Sequence, residues 1–574
     1  ARPRVADVLV DTLVGAGVRR IYGVAGDSLN GITDSIRPRK EFRWVHVRHE
    51  EAAAFAAGAE AQLTGRIAVC AGSCGPGNLH LINGLYDAHR SRAPVLAIAS
   101  QIPSEEIGRG YFQETNPELI FRECSHYTER IARPESLAGV LSIALRTAVA
   151  RRGVAVVVLP GDVALEAAVG PASPMNLDPP AEAFAPPEEA LARAAELLNG
   201  AAKVTILAGI GAAGARTELL ALAGRIRAPI VHTLRGKESV EWENPFDVGM
   251  TGLLGFSSGY HAMFASELLL LLGTDFPYRQ FYPPDATILQ VDLRGEQIGR
   301  RSHVDLALVG DVGTTLRALL PRLTPKTADG HLTGALEAYR SAREGLDDRA
   351  VEPRERSPIH PEYVARVVSE LASEDAIFSC DVGTPTVWAA RYLRMNGKRR
   401  LLGSFVHGSM ANALPQALGA QLSHPGRQVI ALSGDGGLAM LLGELLTLRQ
   451  ESLPVKIVLF RNDALGFVTL EMEGAGFLDF ATDLKNPEFA EIARASGILG
   501  LKATEPAQLR PFLRQALDHD GPALLEVVVD RQELIVPPSL DRAKIGGFGL
   551  FLLKAVLNGR GNEVVDLAKT NWFR

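Results

Sequence analysis

The sequence predicts an α/β protein built from three doubly wound, parallel-sheet domains and a short amphipathic tail. Three observations carry that expectation. At 574 residues the chain is too long for one hydrophobic core, so about three or four domains is the natural division. Short apolar runs alternate with Ala-rich stretches in three successive blocks, the pattern of strands covered on both faces by crossover helices. Between the first two blocks, six prolines fall between Pro171 and Pro187 with little periodicity, which marks a linker.

The elements follow in order. The first domain, residues 1–182, has strands predicted at Arg20–Val24, Trp44–Val47, Arg66–Ala71, Val95–Ser100 and Val154–Leu159. The second, residues 183–334, repeats the pattern at Lys203–Ala208, Ile230–His232, Glu267–Leu272, Thr287–Asp292 and Leu306–Val309. The third, residues 335–530, has Ala376–Ser379, Gln428–Leu432, Val455–Phe460 and Leu524–Val529. After it the register changes at Pro537-Pro538, and residues 531–574 form the tail.

Bulk composition narrows the function classes. A net charge of -6, spread along the chain, offers no basic footprint, so no nucleic-acid partner is expected. Cys70, Cys74, Cys124 and Cys380 are scattered and form no CxxC pair, which argues against a disulfide framework or a zinc site. Ala1–Val10 lacks the apolar core of a signal peptide, and the longest apolar run, Leu268–Leu272, is far below the ~18 residues of a membrane span. A reducing, cytoplasmic setting is the expectation.

Chemistry concentrates in the third domain. The strand at Gln428–Leu432 runs into Ser433-Gly434-Asp435-Gly436-Gly437, and the next strand ends at Arg461-Asn462-Asp463. A Gly-Asp-Gly turn at a strand end brings backbone N–H groups and a helix N-terminus close to a phosphate. Asp435 and Asn462 supply the oxygen ligands that Mg²⁺ prefers, at a spacing that fits one helix and a returning strand.

This pattern resembles the thiamine-diphosphate enzyme family, whose cofactor motif is a GDG followed some 25–30 residues later by NN. The resemblance implies Mg²⁺ held by Asp435, Asn462 and the backbone carbonyl of Ala464, with Gly436, Gly437, Leu465 and Gly466 around the cofactor. Arg461 stands where the family often has its first Asn, which is not the ligand. Near the start, Arg48-His49-Glu50-Glu51-Ala52 matches the family's glutamate segment. By that match Glu50 hydrogen-bonds the aminopyrimidine of thiamine diphosphate and sets its tautomer. Gly403–Met410 matches the other wall, where Met410 props the cofactor into its bent form and Gly408, next to Ser409, offers a carbonyl.

Longer runs resemble the quinone-linked pyruvate dehydrogenase, or pyruvate oxidase, branch: Cys70–Asn78, Gly110–Glu114, Phe121–Tyr127, Asp381–Trp388 and Asp566–Trp572. The resemblance implies a pyruvate pocket with Phe112 as an apolar wall and Gln113 as a hydrogen-bond donor. By the same resemblance Phe467 and Val468 would sit beside the reacting carbon, and Glu471 matches a residue that contacts the substrate carboxylate or a water. The middle domain begins with a literal GxGxxG at Gly209–Gly214, but its next strand ends His232-Thr233-Leu234-Arg235, without the acid that a nicotinamide ribose needs. The resemblance instead implies FAD, contacted by Arg235, Thr251, Gly252, Leu253, Leu254, Gly273, Thr274, Asp275, Phe276, Asp292, Asp311 and Val312.

The tail carries apolar residues at 548, 551, 552 and 556, a helical stripe too short to span a bilayer. It suits either a membrane interface or the enzyme's own surface, and the resemblance favours peripheral binding at the inner face of the cell membrane. The expected activity is pyruvate oxidation to acetate and CO₂, with electrons passing through FAD to a membrane quinone, in a homotetramer. The rivals are acetolactate synthase and a phosphate-dependent pyruvate oxidase.

Overall fold

Strands of Val, Ile, Leu and Ala, apolar on both faces, bury both sides and pair in parallel. In the computed structural model, residues 2–172, 175–177, 183–353, 358–531, 533 and 550–554 are described. Their strands form three six-stranded parallel sheets with helices on the flanks. The first contains β1 (Arg20–Gly23), β2 (Arg43–His46), β3 (Ala68–Gly72), β4 (Val95–Gln101), β5 (Tyr127–Arg130) and β6 (Val154–Pro160), ordered β2-β1-β3-β4-β6-β5. The second contains β7 (Val204–Ala208), β8 (Ile230–His232), β9 (Asp247–Met250), β10 (Leu268–Leu272), β11 (Thr287–Asp292) and β12 (Leu306–Val309), ordered β12-β11-β10-β7-β8-β9. The third contains β13 (Ile377–Cys380), β14 (Arg400–Gly403), β15 (Val429–Gly434), β16 (Lys456–Arg461), β17 (Leu499–Ala503) and β18 (Ala523–Val528), ordered β14-β13-β15-β16-β18-β17.

The strands absent from the sequence expectation are β5, β9, β14 and β17, and every one is a sheet edge. An edge is covered on fewer sides, so its sequence is freer to be polar or short. Tyr127-Thr-Glu-Arg130 has no fully buried residue, and Asp247-Val-Gly-Met250 opens on a charge.

The first and third sheets share one strand order, and they pack through equivalent helices. Glu50–Thr64 lies between β2 and β3, and Ala413–Ser423 lies between β14 and β15. Both are Ala-rich, so their axes approach closely. A Cβ placed on Gly419 would stand 2.8 Å from the Cα and carbonyl carbon of Ala56. Buried polar links reinforce the contact: Ser404 Oγ donates to Asp87 Oδ1 (2.7 Å), and Arg48 N–H donates to Glu444 Oε1 (3.0 Å). Burial pushes the Asp87 carboxyl up to about 6.

Candidate active site

The functional residues fall into three groups, each at the C-terminal ends of strands, where doubly wound sheets bind ligands.

The first group is in the first domain. β2 ends before His49, whose side chain accepts the N–H of Glu51 and starts the helix Glu50–Thr64; Gly65 at φ 68° ends it. Two carboxylates in the first turn complement the helix dipole. Glu50 is buried, and its Oε2 lies 2.9 Å from His80 Nδ1. The turn after β3 closes beside it: Gly77 packs within reach of both Glu50 Oε1 and Ser73 Oγ. Gln113 joins this turn through a 3.4 Å contact between its Oε1 and Cys74 Sγ. Phe112, next to it, is 78% exposed.

The second group is in the third domain. Asp435 opens the helix after β15 and is 2% exposed. Its Oδ2 accepts the N–H of Asp463 (2.7 Å) and the side-chain amide of Asn486 (2.8 Å), and Oδ1 accepts the N–H of Gly436 (2.9 Å). Burial, with Asp463 adding like charge, pushes its carboxyl up to about 6. Asn462 Oδ1 accepts the N–H of Ala464 (3.2 Å). Gly436 faces Leu465 and Met410, which brings the expected prop to the Gly-Asp-Gly turn. Ser409 Oγ accepts from Asn83 Nδ2 (2.8 Å), and Gly408 N–H donates to Ser404 Oγ (3.1 Å). A hollow of about 280 Å³ is lined by Asn462, Ala464 and Gly466, and also by Asp530, Arg531 and Glu533. On the helix Gly466–Gly474, Phe467 packs on the core, while Val468 and Glu471 are exposed. A buried carboxylate, an amide oxygen and a backbone carbonyl on two adjacent strand ends are hard oxygen donors suited to a divalent cation.

The third group lies on the middle sheet, whose order reverses between β7 and β10. The GxGxxG turn follows β7, but Gly211 packs directly on Gly273. Around this crevice, Thr251 is buried with no partner for its Oγ1, and the Phe276 ring covers Gly252. Leu253 packs on the apolar cluster that contains Phe276. The backbone carbonyl of Leu254 accepts from Arg391 (3.1 Å), and that of Thr274 accepts from Gln290 (3.1 Å). Asp275 pairs with Arg300 and Arg301. Asp292 is buried and accepts the N–H of Arg294 (2.9 Å), and Asp311 caps the helix that Val312 begins. Arg235 donates to the carbonyl of Ser91 (3.0 Å); burial, with Arg92 nearby, lowers its pKa.

The described chain thus assembles Met410, Asp435, Gly436, Asn462 and Ala464 in one place, and Glu50 with Gln113 in another. Glu50 and Asp435 share no hydrogen-bond partner. Sequence reasoning missed Asn486, which bridges Asp435 and Asp463, and Asp381, whose carboxylate accepts the N–H of Ala413 (2.9 Å) against Gly437. Asn486 belongs to no motif, and Asp381 opens the run Asp381–Trp388 without any spacing that ties it to the Gly-Asp-Gly turn; only the fold brings them in.

Of the tail, Phe551 is buried, and Lys554 Nζ donates to the carbonyl of Gly476 (2.7 Å) and lies 5.7 Å from the Phe477 ring centroid. Phe548, Val556 and most of segment 531–574 lie outside the described residues. Arg531 pairs with Asp483, and Glu533 Oε2 lies 2.8 Å from His360 Nδ1, so the start of the tail borders the hollow beside Asn462.

Comparison with known proteins agrees with this division. Three models of the thiamine pyrophosphate enzymes match: the N-terminal TPP binding domain over residues 3–119, the central domain over 191–319 and the C-terminal TPP binding domain over 381–527. The Bacillus subtilis (strain 168) protein YdaP is 37% identical over 558 residues, 96% of each chain. Pyruvate oxidase of Lactiplantibacillus plantarum is 31% identical over 91% of this chain and 88% of its own. The acetolactate synthase large subunit of Parasynechococcus marenigrum is 32% identical over 94% and 90%. Likeness across almost the whole length, with all three domain models in order, places this chain in the thiamine pyrophosphate enzyme family as a thiamine-diphosphate-dependent enzyme.

Proposed function

We propose that the enzyme converts pyruvate and water to acetate and CO₂, passing two electrons through FAD to a membrane quinone at the inner face of the cell membrane. The observation that carries this reading is the seat of the tail: Phe551 is buried, and Lys554 packs on Gly476 and Phe477, at the end of the segment that begins at Gly466 beside Asn462. An amphipathic segment joined to the catalytic loop suits an enzyme that delivers electrons to a lipid-borne acceptor. The likeness to a pyruvate oxidase supports the same substrate.

Bound thiamine diphosphate supplies the electron sink for loss of CO₂, and bound FAD the two-electron acceptor. The residues fit both groups. Asp435 is a buried carboxylate whose pKa burial raises, and with Asn462 and the Ala464 carbonyl it would hold Mg²⁺. The buried, unpartnered Oγ1 of Thr251 and the cationic group of Arg235 with Arg92 suit a flavin diphosphate. Glu50 would hold a pyrimidine nitrogen and fix its protonation, while Met410 supports the bend. Phe112 and Val468 would shield the reacting carbon, with Gln113 and Glu471 binding the polar end of the substrate. Since Glu50 and Asp435 have separate surroundings in one chain, we assign each complete site to two chains of a homotetramer.

An anaerobic flavin spectrum tests the reading. Pyruvate should bleach the oxidised flavin band in the presence of thiamine diphosphate and Mg²⁺, a quinone analogue should restore it, and Glu50→Gln should abolish the change. A second reading, non-redox joining of two keto acids, is favoured by the acetolactate synthase relative. A flavin that stays oxidised while acetolactate accumulates would establish that alternative.

A further inference from the structure

We propose that Cys74 is a positioning residue that sets the polarity of Gln113, so that its amide N–H₂ rather than its oxygen faces the carboxylate of a 2-oxo acid. The inference rests on the functional reading above and concerns how the same site recognises its substrate.

The backbone at Gln113 is held from both sides. Gln113 has φ 62°, a left-handed conformation that non-glycine residues enter only when their surroundings impose it. On one side, Gly75 (φ 66°) presses against it: a Cβ there would stand 2.8 Å from the Gln113 carbonyl oxygen and 2.9 Å from its Cβ. On the other, the Glu114 carboxylate accepts the N–H groups of Gly110 (2.7 Å) and Tyr111 (3.0 Å), tying the loop into a closed turn. The N–H of Gly108 above all, with those of Tyr111 and Gly110, also holds the Glu114 carboxyl below its ordinary range.

With the backbone fixed, the freedom that remains at the end of the side chain is the half-turn of the amide. Its two ends are chemically opposite, since the oxygen only accepts and the nitrogen only donates. Cys74 decides between them. It is 4% exposed, its N–H is tied to Ser28 Oγ (3.1 Å), and its Sγ lies 3.4 Å from Gln113 Oε1. Burial, with Asp27 adding like charge, raises the thiol pKa, so the group stays an S–H donor and holds the amide oxygen. That leaves the two amide hydrogens as the donors offered to a substrate, on a loop whose neighbouring Phe112 is exposed. A carboxylate has acceptors only, so this orientation binds it and the reversed one repels it.

The test uses holoenzyme reconstituted with thiamine diphosphate, Mg²⁺ and FAD. Cys74→Ala and the near-isosteric Cys74→Val, which lack the donor, should raise KM for pyruvate roughly 3- to 10-fold, as expected for one lost hydrogen bond, with kcat changed by less than about 2-fold. Cys74→Ser, which keeps a donor, should restore KM to within about 2-fold of wild type. In a Gln113→Ala background the Cys74 substitutions should add nothing, because the thiol acts through that amide. Equal KM values for the Ser and Val variants would overturn the proposal, as would a Cys74 effect that persists without Gln113. A wild-type holoenzyme that leaves pyruvate untouched would overturn the functional reading and this inference with it.

Discussion

Replacing Gly419 by Ala should loosen the seam between the first and third domains. The added Cβ would overlap the Ala56 carbonyl oxygen and stand 2.8 Å from Ala56 Cα, where ordinary contact begins near 3.4 Å, so one helix must move by roughly 1 Å. The obstruction is backbone within a buried helix pair, and no flexible side chain can swing aside. Overpacking of this kind costs about 1–3 kcal/mol, and a main-chain neighbour puts this case near about 3. For cores of this size that corresponds to a fall in melting midpoint of about 6–12 °C. The shift also reaches Glu50, about 9 Å away along the same helix at the standard rise per residue, so thiamine diphosphate affinity should fall as well. Differential scanning calorimetry of the apo-protein and cofactor titration of the same sample measure the two effects. The control is Gly345→Ala, on an exposed helix position with nothing within 4 Å of the new Cβ, which should stabilise by about 0.4–1 kcal/mol. A Gly419→Ala protein that melts within 2 °C of wild type, roughly the shift of 1 kcal/mol or less, would refute the packing argument.

Other expectations follow from buried polar groups. Asp87 has a folded pKa raised from 3.8 to about 6, so its ionisation destabilises the fold above that pH and not below the unfolded value. Asp87→Asn should therefore gain on wild type by up to about 3 kcal/mol as pH rises from 4 to 7, offset at every pH by the amide N–H₂ it turns toward the Ser404 or Gln416 donor; a pH-independent difference in urea midpoints would contradict this. Asn486→Ala removes the donor shared by Asp435 and Asp463, and the Mg²⁺ concentration for half-maximal activity should rise roughly 10- to 100-fold. An unchanged Mg²⁺ titration would show that Asp435 needs no such support. Phe551→Glu should abolish sedimentation with anionic lipid vesicles, with decarboxylation in solution as the control; undiminished vesicle binding would remove the tail from the membrane contact.

What was legible in the sequence follows physical lines. Central strands such as Leu268–Leu272 announce themselves because both faces are buried, whereas Tyr127–Arg130 and Arg400–Gly403 sit at edges and carry polar residues. In the site, Asp435 and Asn462 could be found because the two strands that carry them are neighbours, with one crossover between them, which fixes a narrow spacing. Asn486 comes from a loop beyond the next helix, and Asp381 lies 54 positions before Asp435 in sequence. Nothing local reveals that Asn486 meets Asp435, or that Asp381 braces the turn from Gly434 to Gly437. Cys74 is the clearest case: it looked like one of four scattered thiols until the loop carrying Gln113 folded over it.

The matching strand orders of the first and third sheets also make the two domains alike at the seam where they pack. The helices that join the domains, Glu50–Thr64 and Ala413–Ser423, occupy the same place in each sheet, so each half offers the other its equivalent surface. That is the arrangement of a twofold homodimer, preserved inside one polypeptide. One contact therefore sets both the helix that Glu50 begins and the helix that leads into β15 and Asp435. The turns that follow β3 and β15 nevertheless differ, one holding Cys74 and the other Asp435.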